Sequence, residues 1–151
     1  MSVSEQRHGD DLERLVAECR TLIESRFPGG AEEGAAAVLL DDGSVLMGTS
    51  PHFVNPATAL CHEAEPYCAA YRLGRGVTAS VCLHREAAGR YLVLSPCGVC
   101  RERLAMWGPD VLVAVADSDD PTVVEWVTLK DVLPHYWLTA FESEGESSWN
   151  C

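Results

Sequence analysis

The stretch Ser95-Pro96-Cys97-Gly98-Val99-Cys100 constrains this chain more than any other. Two thiols three positions apart, at the start of a turn or helix, can grip one metal ion. Zinc takes thiolate and imidazole ligands in a tetrahedron, and a catalytic site uses three protein ligands and leaves the fourth position open. Cys61, in Cys61-His62-Glu63, can supply the third ligand. If Cys61 opens a helix, Glu63 falls within the same first turn, near enough to move protons without binding the metal. A second register, Glu63-Ala64-Glu65, would make Glu63 the ligand and Glu65 the base, but a thiolate is the softer donor and favours the first. Two plainer readings of the cysteines remain open. One is a redox pair, since Cys-x-x-Cys spacing lowers a thiol pKa. The other is a closed structural zinc knot with His62 or His84 as fourth ligand, although neither histidine has finger spacing.

A ligand-x-Glu segment followed by Pro-Cys-x-x-Cys is the signature of zinc-dependent nucleobase deaminases, in which the Glu shuttles protons. On Cys61-His62-Glu63 and Pro96-Cys97-Gly98-Val99-Cys100 the chain resembles the cytidine deaminase superfamily, nearest to its small nucleoside branch with three cysteine ligands. Leu94 to Arg101 and the later Leu133-Pro134 are similar to blasticidin-S-deaminase-like proteins. The resemblance implies one zinc ion per subunit on Cys61, Cys97 and Cys100, with Glu63 as catalytic base and acid. It implies hydrolytic deamination of a cytosine-type nucleoside or analogue, either cytidine or deoxycytidine or a blasticidin-S-like compound, with release of ammonia. It also implies a homotetramer. The alternatives are a deaminase of another small aminated heterocycle and a non-catalytic, zinc-stabilised binding module. Three thiolates on one zinc leave a net negative charge, which helix N-termini can offset. Many related three-cysteine enzymes carry an arginine directly after the Glu; this chain has Ala64 there, and Arg101 is the residue expected to compensate.

Typical cytidine deaminases grip ribose hydroxyls with an Asn-x-Glu pair upstream of the ligand-x-Glu segment. Counting back from Cys61 places that pair at Ser50-Pro51-His52, so neither the amide nor the carboxylate is present. His52, Phe53, Asn55, Tyr136 and Trp137 are the candidate substrate-binding residues, aromatic faces stacking on a planar base and Asn55 bonding its edge.

Apolar residues at helical spacing from 11 to 27 predict a packing helix, ended by Pro28-Gly29-Gly30. Ala35 to Leu40 and Val45 to Met47, around Asp41-Asp42-Gly43, predict a hairpin. A helix is expected from Cys61 to Leu73, with Pro66 awkward inside it and Gly74 at its end. Strands over 77–83, 91–94 and 111–116, a helix over 98–107 and a short helix capped by Thr128 complete an α/β pattern. The resemblance implies a three-layer α/β/α sandwich around a mixed five-stranded sheet. Residues 1–141 are expected to form one domain and 142–151 an acidic, solvated tail with Cys151 exposed. Seven cysteines in a chain with no secretory leader pattern favour metal binding plus buried thiols in the cytoplasm, with Cys19, Cys68 and Cys82 as packing residues. A formal charge of -12 argues against a polynucleotide partner, and no run of about 18 apolar residues suggests a membrane span.

Overall fold

The computed structural model describes residues 3–141 and Trp149. The elements run α1 (Val3–Arg26), β1 (Glu33–Leu40), β2 (Val45–Gly48), α2 (Ala64–Arg72), β3 (Val77–Arg85), β4 (Tyr91–Val93), α3 (Gly98–Leu104), β5 (Leu112–Ala116), β6 (Val124–Thr128) and α4 (Leu129–Val132). Short 3-10 turns occupy Pro56–Thr58, Ala105–Trp107 and Trp137–Phe141.

The sheet follows the path β2-β1-β3-β5-β6, with β4 pairing β3 beside that path. The β1–β2 hairpin, β1–β3 and β5–β6 are antiparallel, whereas β3 and β5 are parallel. The expected mixed sheet is therefore present, its five anticipated strands, β4 among them, joined by a sixth, β6, beside β5. Both β5 and β4 lie on the edge of β3 away from β1: β5 pairs at Ala79 and Ser80, β4 from Leu83 to Arg85. That division opens a gap through which the chain leaves the sheet at Leu94.

Helices cover both faces. On one, Leu12, Leu15, Cys19 and Ile23 of α1 pack on Ala35, Ala37, Leu39, Val81 and Leu83, the alternate residues of β1 and β3. Helical spacing meets strand alternation here, and burying each large aliphatic side chain contributes about 1.5–3 kcal/mol. On the other face Val38, Leu40 and Val113 meet Tyr67 of α2, Leu104 of α3 and Leu129 of α4. The three layers are α/β/α. Among the described residues no helix is long and apolar enough to cross a membrane.

Several expectations need correction. α1 begins eight residues before Asp11, and β6 is a strand that the sequence pattern does not announce. α2 begins at Ala64, not Cys61, with Glu63 at its N-cap. Pro66 is thus its third residue, inside the first turn, where a missing N–H leaves no hydrogen bond unmade. Gly74, at φ 65°, ends the helix as expected, and the amides of Gly74 and Arg75 cap the carbonyls of Tyr71 and Ala70. Cys68 is exposed because it lies on the solvent side of α2, between inward Tyr67 and Ala70; Cys19 and Cys82 are buried. The expected tail lies outside the described residues except for Trp149, which is buried with its ring 4.7 Å from that of Tyr136. Its apolar bulk, inconspicuous within a polar segment, joins the α2–α3 side of the core.

Candidate metal centre

The centre is built where the sheet opens beside β3. The Leu94 amide donates to the Cys82 carbonyl at 2.9 Å, and three residues later Cys97 takes an extended conformation at the N-cap of α3. Cys100 is then one turn into α3 and fully buried. From the other side the chain comes off β2 and crosses an irregular segment to Cys61, where the Ala64 amide bonds the Cys61 carbonyl at 3.0 Å and closes a tight turn. That turn leads into α2 and points Glu63 inward, leaving it 5% exposed.

The result joins parts of the chain 36 residues apart: the Cys61 and Cys97 sulfurs are 3.5 Å from one another. All three sulfurs of Cys61, Cys97 and Cys100 lie within 4.8 Å of one another. Tetrahedral ligands at about 2.3 Å from zinc are about 3.8 Å apart, so this donor set fits one zinc ion. Among the described residues no further Cys, His, Asp or Glu joins the cluster. His62 and His84 line the neighbouring cavity but do not close the set, and Glu65 of the second register is exposed on α2.

The thiols differ in their hold on protons. Burial, then the hydrogen bond with Cys97, holds Cys61 above the ordinary thiol value, and burial followed by the Glu63 carboxylate raises Cys100 further. Burial pushes Cys97 up too, but the Cys100 amide, the other two thiols and the Val99 amide outweigh it and leave Cys97 lowered. Amides at the open end of α3 thus favour thiolate where the metal would sit. Burial also lowers the pKa of His62, which favours the neutral imidazole.

A cavity of about 460 Å³ opens onto the cluster, with Cys61, Glu63 and Cys97 among its lining residues. Glu32, Glu33, Ser50, His52, His84, Cys82 and Ser95 form other parts of the wall, and no lysine or arginine among the described residues contributes. A larger groove of about 680 Å³ runs between α1 and β6 but holds none of these groups. Glu63 makes no side-chain hydrogen bond among the described residues, and no buried side-chain oxygen there is sealed without a partner, so its carboxylate opens onto the cavity.

The other expected site residues are dispersed. His52 reaches the rim, largely exposed, with its ring 3.2 Å from the Glu33 carboxylate. Phe53, Asn55, Tyr136 and Trp137 do not line the cavity. The Asn55 side-chain oxygen Oδ1 accepts from the Ala57 amide at 3.1 Å and caps a 3-10 turn. Tyr136 is buried and donates to Glu102 at 2.9 Å, and the Trp137 indole donates to the same carboxylate at 3.3 Å. Arg101 donates through Nε to the Pro96 carbonyl at 2.7 Å and through a terminal nitrogen to the Val132 carbonyl at 2.8 Å. These two bonds brace the cysteine loop against α4 rather than reaching sulfur. Sequence reasoning does not place Glu33, Cys82 or His84 in the wall of this cavity. The only signal for the last two was strand alternation, which the β1–β3 register makes meaningful by pairing Gly34 with His84 and Ala36 with Cys82.

No family model matches the chain. A curated cytidine deaminase of Mycobacterium tuberculosis is 37% identical over 90 residues, which make up 59% of this chain. The chain spans about three fifths, 61%, of the length of that relative. Among solved structures, the cytidine deaminase from Bacillus anthracis superposes with a TM-score of 0.75 at 34% identity, covering 85% of this chain and 91% of that one. The cytidine deaminase from Mycobacterium tuberculosis gives a TM-score of 0.53 at 31% identity over 72% of this chain and 81% of its own. A three-sulfur cluster on the same fold, together with a third of the residues shared across nine tenths of a solved relative, places this chain in the cytidine deaminase family.

Proposed function

We propose that the chain catalyses zinc-dependent hydrolytic deamination of a cytosine-type nucleoside or nucleoside analogue. The observation that carries this reading is the meeting, at one cavity, of three sulfurs and a buried carboxylate with no hydrogen-bond partner among the described residues. Cys61, Cys97 and Cys100 would hold the zinc as thiolates. The metal, when bound, supplies a Lewis acid that makes water acidic near neutral pH. Glu63 accepts a proton from the attacking water on a carboxylate oxygen and returns it to the ring nitrogen, then passes the second proton to the departing amine. Water adds at the amine-bearing carbon, ammonia leaves, and a carbonyl replaces the amine. Cys97, with its lowered pKa, gives up its proton to the chelate most readily of the three, and Arg101 fixes the loop that presents it.

The substrate follows from the wall. Ser50 and His52 line the cavity and supply neither the amide nor the carboxylate that the family resemblance implies for ribose, while Glu32 and Glu33 give the rim negative charge without a lysine or arginine beside them in the wall. That combination favours a nucleoside analogue with a cationic substituent, as in the blasticidin class, over cytidine itself. Exposed Leu60, Tyr71 and Met106 border an apolar groove on α2 and α3, which supports association with further copies in a homotetramer. A zinc site of three thiolates needs its cysteines reduced, which supports a cytoplasmic setting. Residues 1–141 are read as one domain.

The test is metal analysis with ammonia release from cytidine, deoxycytidine, cytosine, blasticidin S and guanine. About one zinc per chain, with release from a cytosine nucleoside or analogue that Glu63→Gln abolishes without metal loss, is expected. Full zinc with no turnover on any compound would point to a binding module instead.

A further inference from the structure

His62 separates Cys61 from Glu63 in the tight turn before α2, and its ring is engaged on two sides. Nδ1 accepts the Ser50 amide at 2.8 Å. The Thr49 hydroxyl is 3.4 Å from the same nitrogen, but it donates to the Gly34 carbonyl at 2.7 Å, so the Ser50 amide is the donor to Nδ1. A neutral ring that accepts at Nδ1 carries its proton on Nε2. That opposite edge lies flat on the backbone of β1: a Cβ built on Gly34 would be 2.5 Å from Nε2 and 3.1 Å from Cδ2. One imidazole therefore joins the Cys61–Glu63 turn, the segment coming off β2, and the start of β1.

Those three pieces form the cavity wall. Glu63 has no side-chain hydrogen bond of its own among the described residues, so its carboxylate is aimed by the backbone of its turn and by packing. The Ser50 side of the latch continues to His52 on the rim. We propose that His62 is a positioning residue: its ring latches the Cys61–Glu63 turn to Ser50 and Gly34, and this fixes both the Glu63 carboxylate and the His52 segment around the cavity. The role rests on the deaminase reading for its catalytic consequence, but the latch is measurable without turnover.

The experiment uses the zinc-loaded full chain, labelled with ¹⁵N, as wild type, His62→Ala and His62→Asn. In wild type, two-bond ¹H–¹⁵N spectra should show the Nε2–H tautomer for His62, and the Ser50 amide should be protected from exchange. His62→Ala should lose that protection and lower kcat for the best nucleoside by about tenfold to a hundredfold, the range typical of groups that orient an inner residue, with zinc content unchanged and KM moved less. Asparagine, whose amide oxygen falls near the Nδ1 position, should restore Ser50 protection and most of kcat. An Nδ1–H tautomer in wild type, or an alanine variant that keeps Ser50 protection and kcat, overturns the proposal. If alanine prevents folding, the wild-type tautomer and the asparagine variant still decide it. If wild type releases no ammonia from any nucleoside, the deaminase reading fails while tautomer and exchange alone decide the latch.

Discussion

Gly48 ends β2 directly beneath the first turn of α2, and replacing it with alanine tests how tightly the turn carrying Glu63 is seated. A Cβ at that position would be 2.5 Å from Pro66 Cδ and 2.9 Å from Glu65 Cβ. Ordinary carbon contacts are about 3.5–4 Å, so the overlap is about 1 Å. Pro66 cannot yield, since its ring is rigid and fully buried. Overpacking of this kind costs about 1–3 kcal/mol, and the stiffer unfolded chain offsets about 0.4–1 kcal/mol. Against a rigid ring at 2.5 Å the cost falls at the upper end of that range, so the net loss is about 1–2 kcal/mol, or a fall in Tm of about 2–8 °C for a chain of this size. Gly9 supplies the contrast: it lies in α1 with nothing within 4 Å of where an alanine methyl would stand, so Gly9→Ala should stabilise by about 0.5–1 kcal/mol. Thermal and urea melts of the zinc-loaded protein measure both. A Gly48→Ala variant as stable as wild type would refute the close seating of α2 on β2, and with it the account of how Glu63 is placed.

Leu104→Ala, at a fully buried position between α3 and the sheet, should cost about 2–5 kcal/mol in urea denaturation; a loss below about 1 kcal/mol would mean that this core can collapse around the gap. Zinc affinity should fall as pH falls, because Cys61 and Cys100 hold their protons above the ordinary thiol value in the metal-free chain and must release them on chelation. With at least two protons released the slope is about a hundredfold per pH unit or steeper, measured by competition with a chromophoric chelator. A slope well under tenfold would contradict those raised thiols. Thr128 hydrogen-bonds Asp131 in a capping box and holds that carboxyl below its ordinary value of 3.8. A depressed carboxyl stabilises the fold above its unfolded pKa and loses the effect as pH falls through the folded one. Thr128→Ala should therefore lower Tm more at neutral pH than in acid; an equal difference at both would mean that the Thr128 hydroxyl does not act through the Asp131 carboxylate.

What was legible in the sequence was local. The three cysteines and Glu63 stand in two short motifs, and α1 and the β1–β2 hairpin declare themselves by period and turn residues. The wall of the cavity was hidden because it depends on pairing. Cys82 and His84 are unremarkable until β3 is set beside β1, when Gly34 leaves room for His62 and the alternation turns both toward the cavity. β6 is hard to read because Val124 to Thr128 is short and interrupted by Glu125, and the strand is defined by its ladder to β5. Tyr136 and Trp137 are ambiguous for the opposite reason. Aromatic chemistry suits both a base-stacking pocket and a core, and only packing distinguishes the two; here Tyr136 meets Trp149 and Glu102. Asn55 likewise suits both a ligand and a cap, and its backbone geometry makes it a cap.

The shared edge of β3 also governs when a metal can be captured. Cys97 and Cys100 offer two sulfurs from one local turn, but the third arrives from 36 residues upstream and meets them only after β1, β3 and β4 have aligned. Closing that separation costs chain entropy before the third sulfur can repay it, so an early, partly ordered chain offers the ion two sulfurs and not the full set. Metal uptake therefore acts as a late clamp: it leaves the collapse of the sheet at its own pace and slows escape from the finished state.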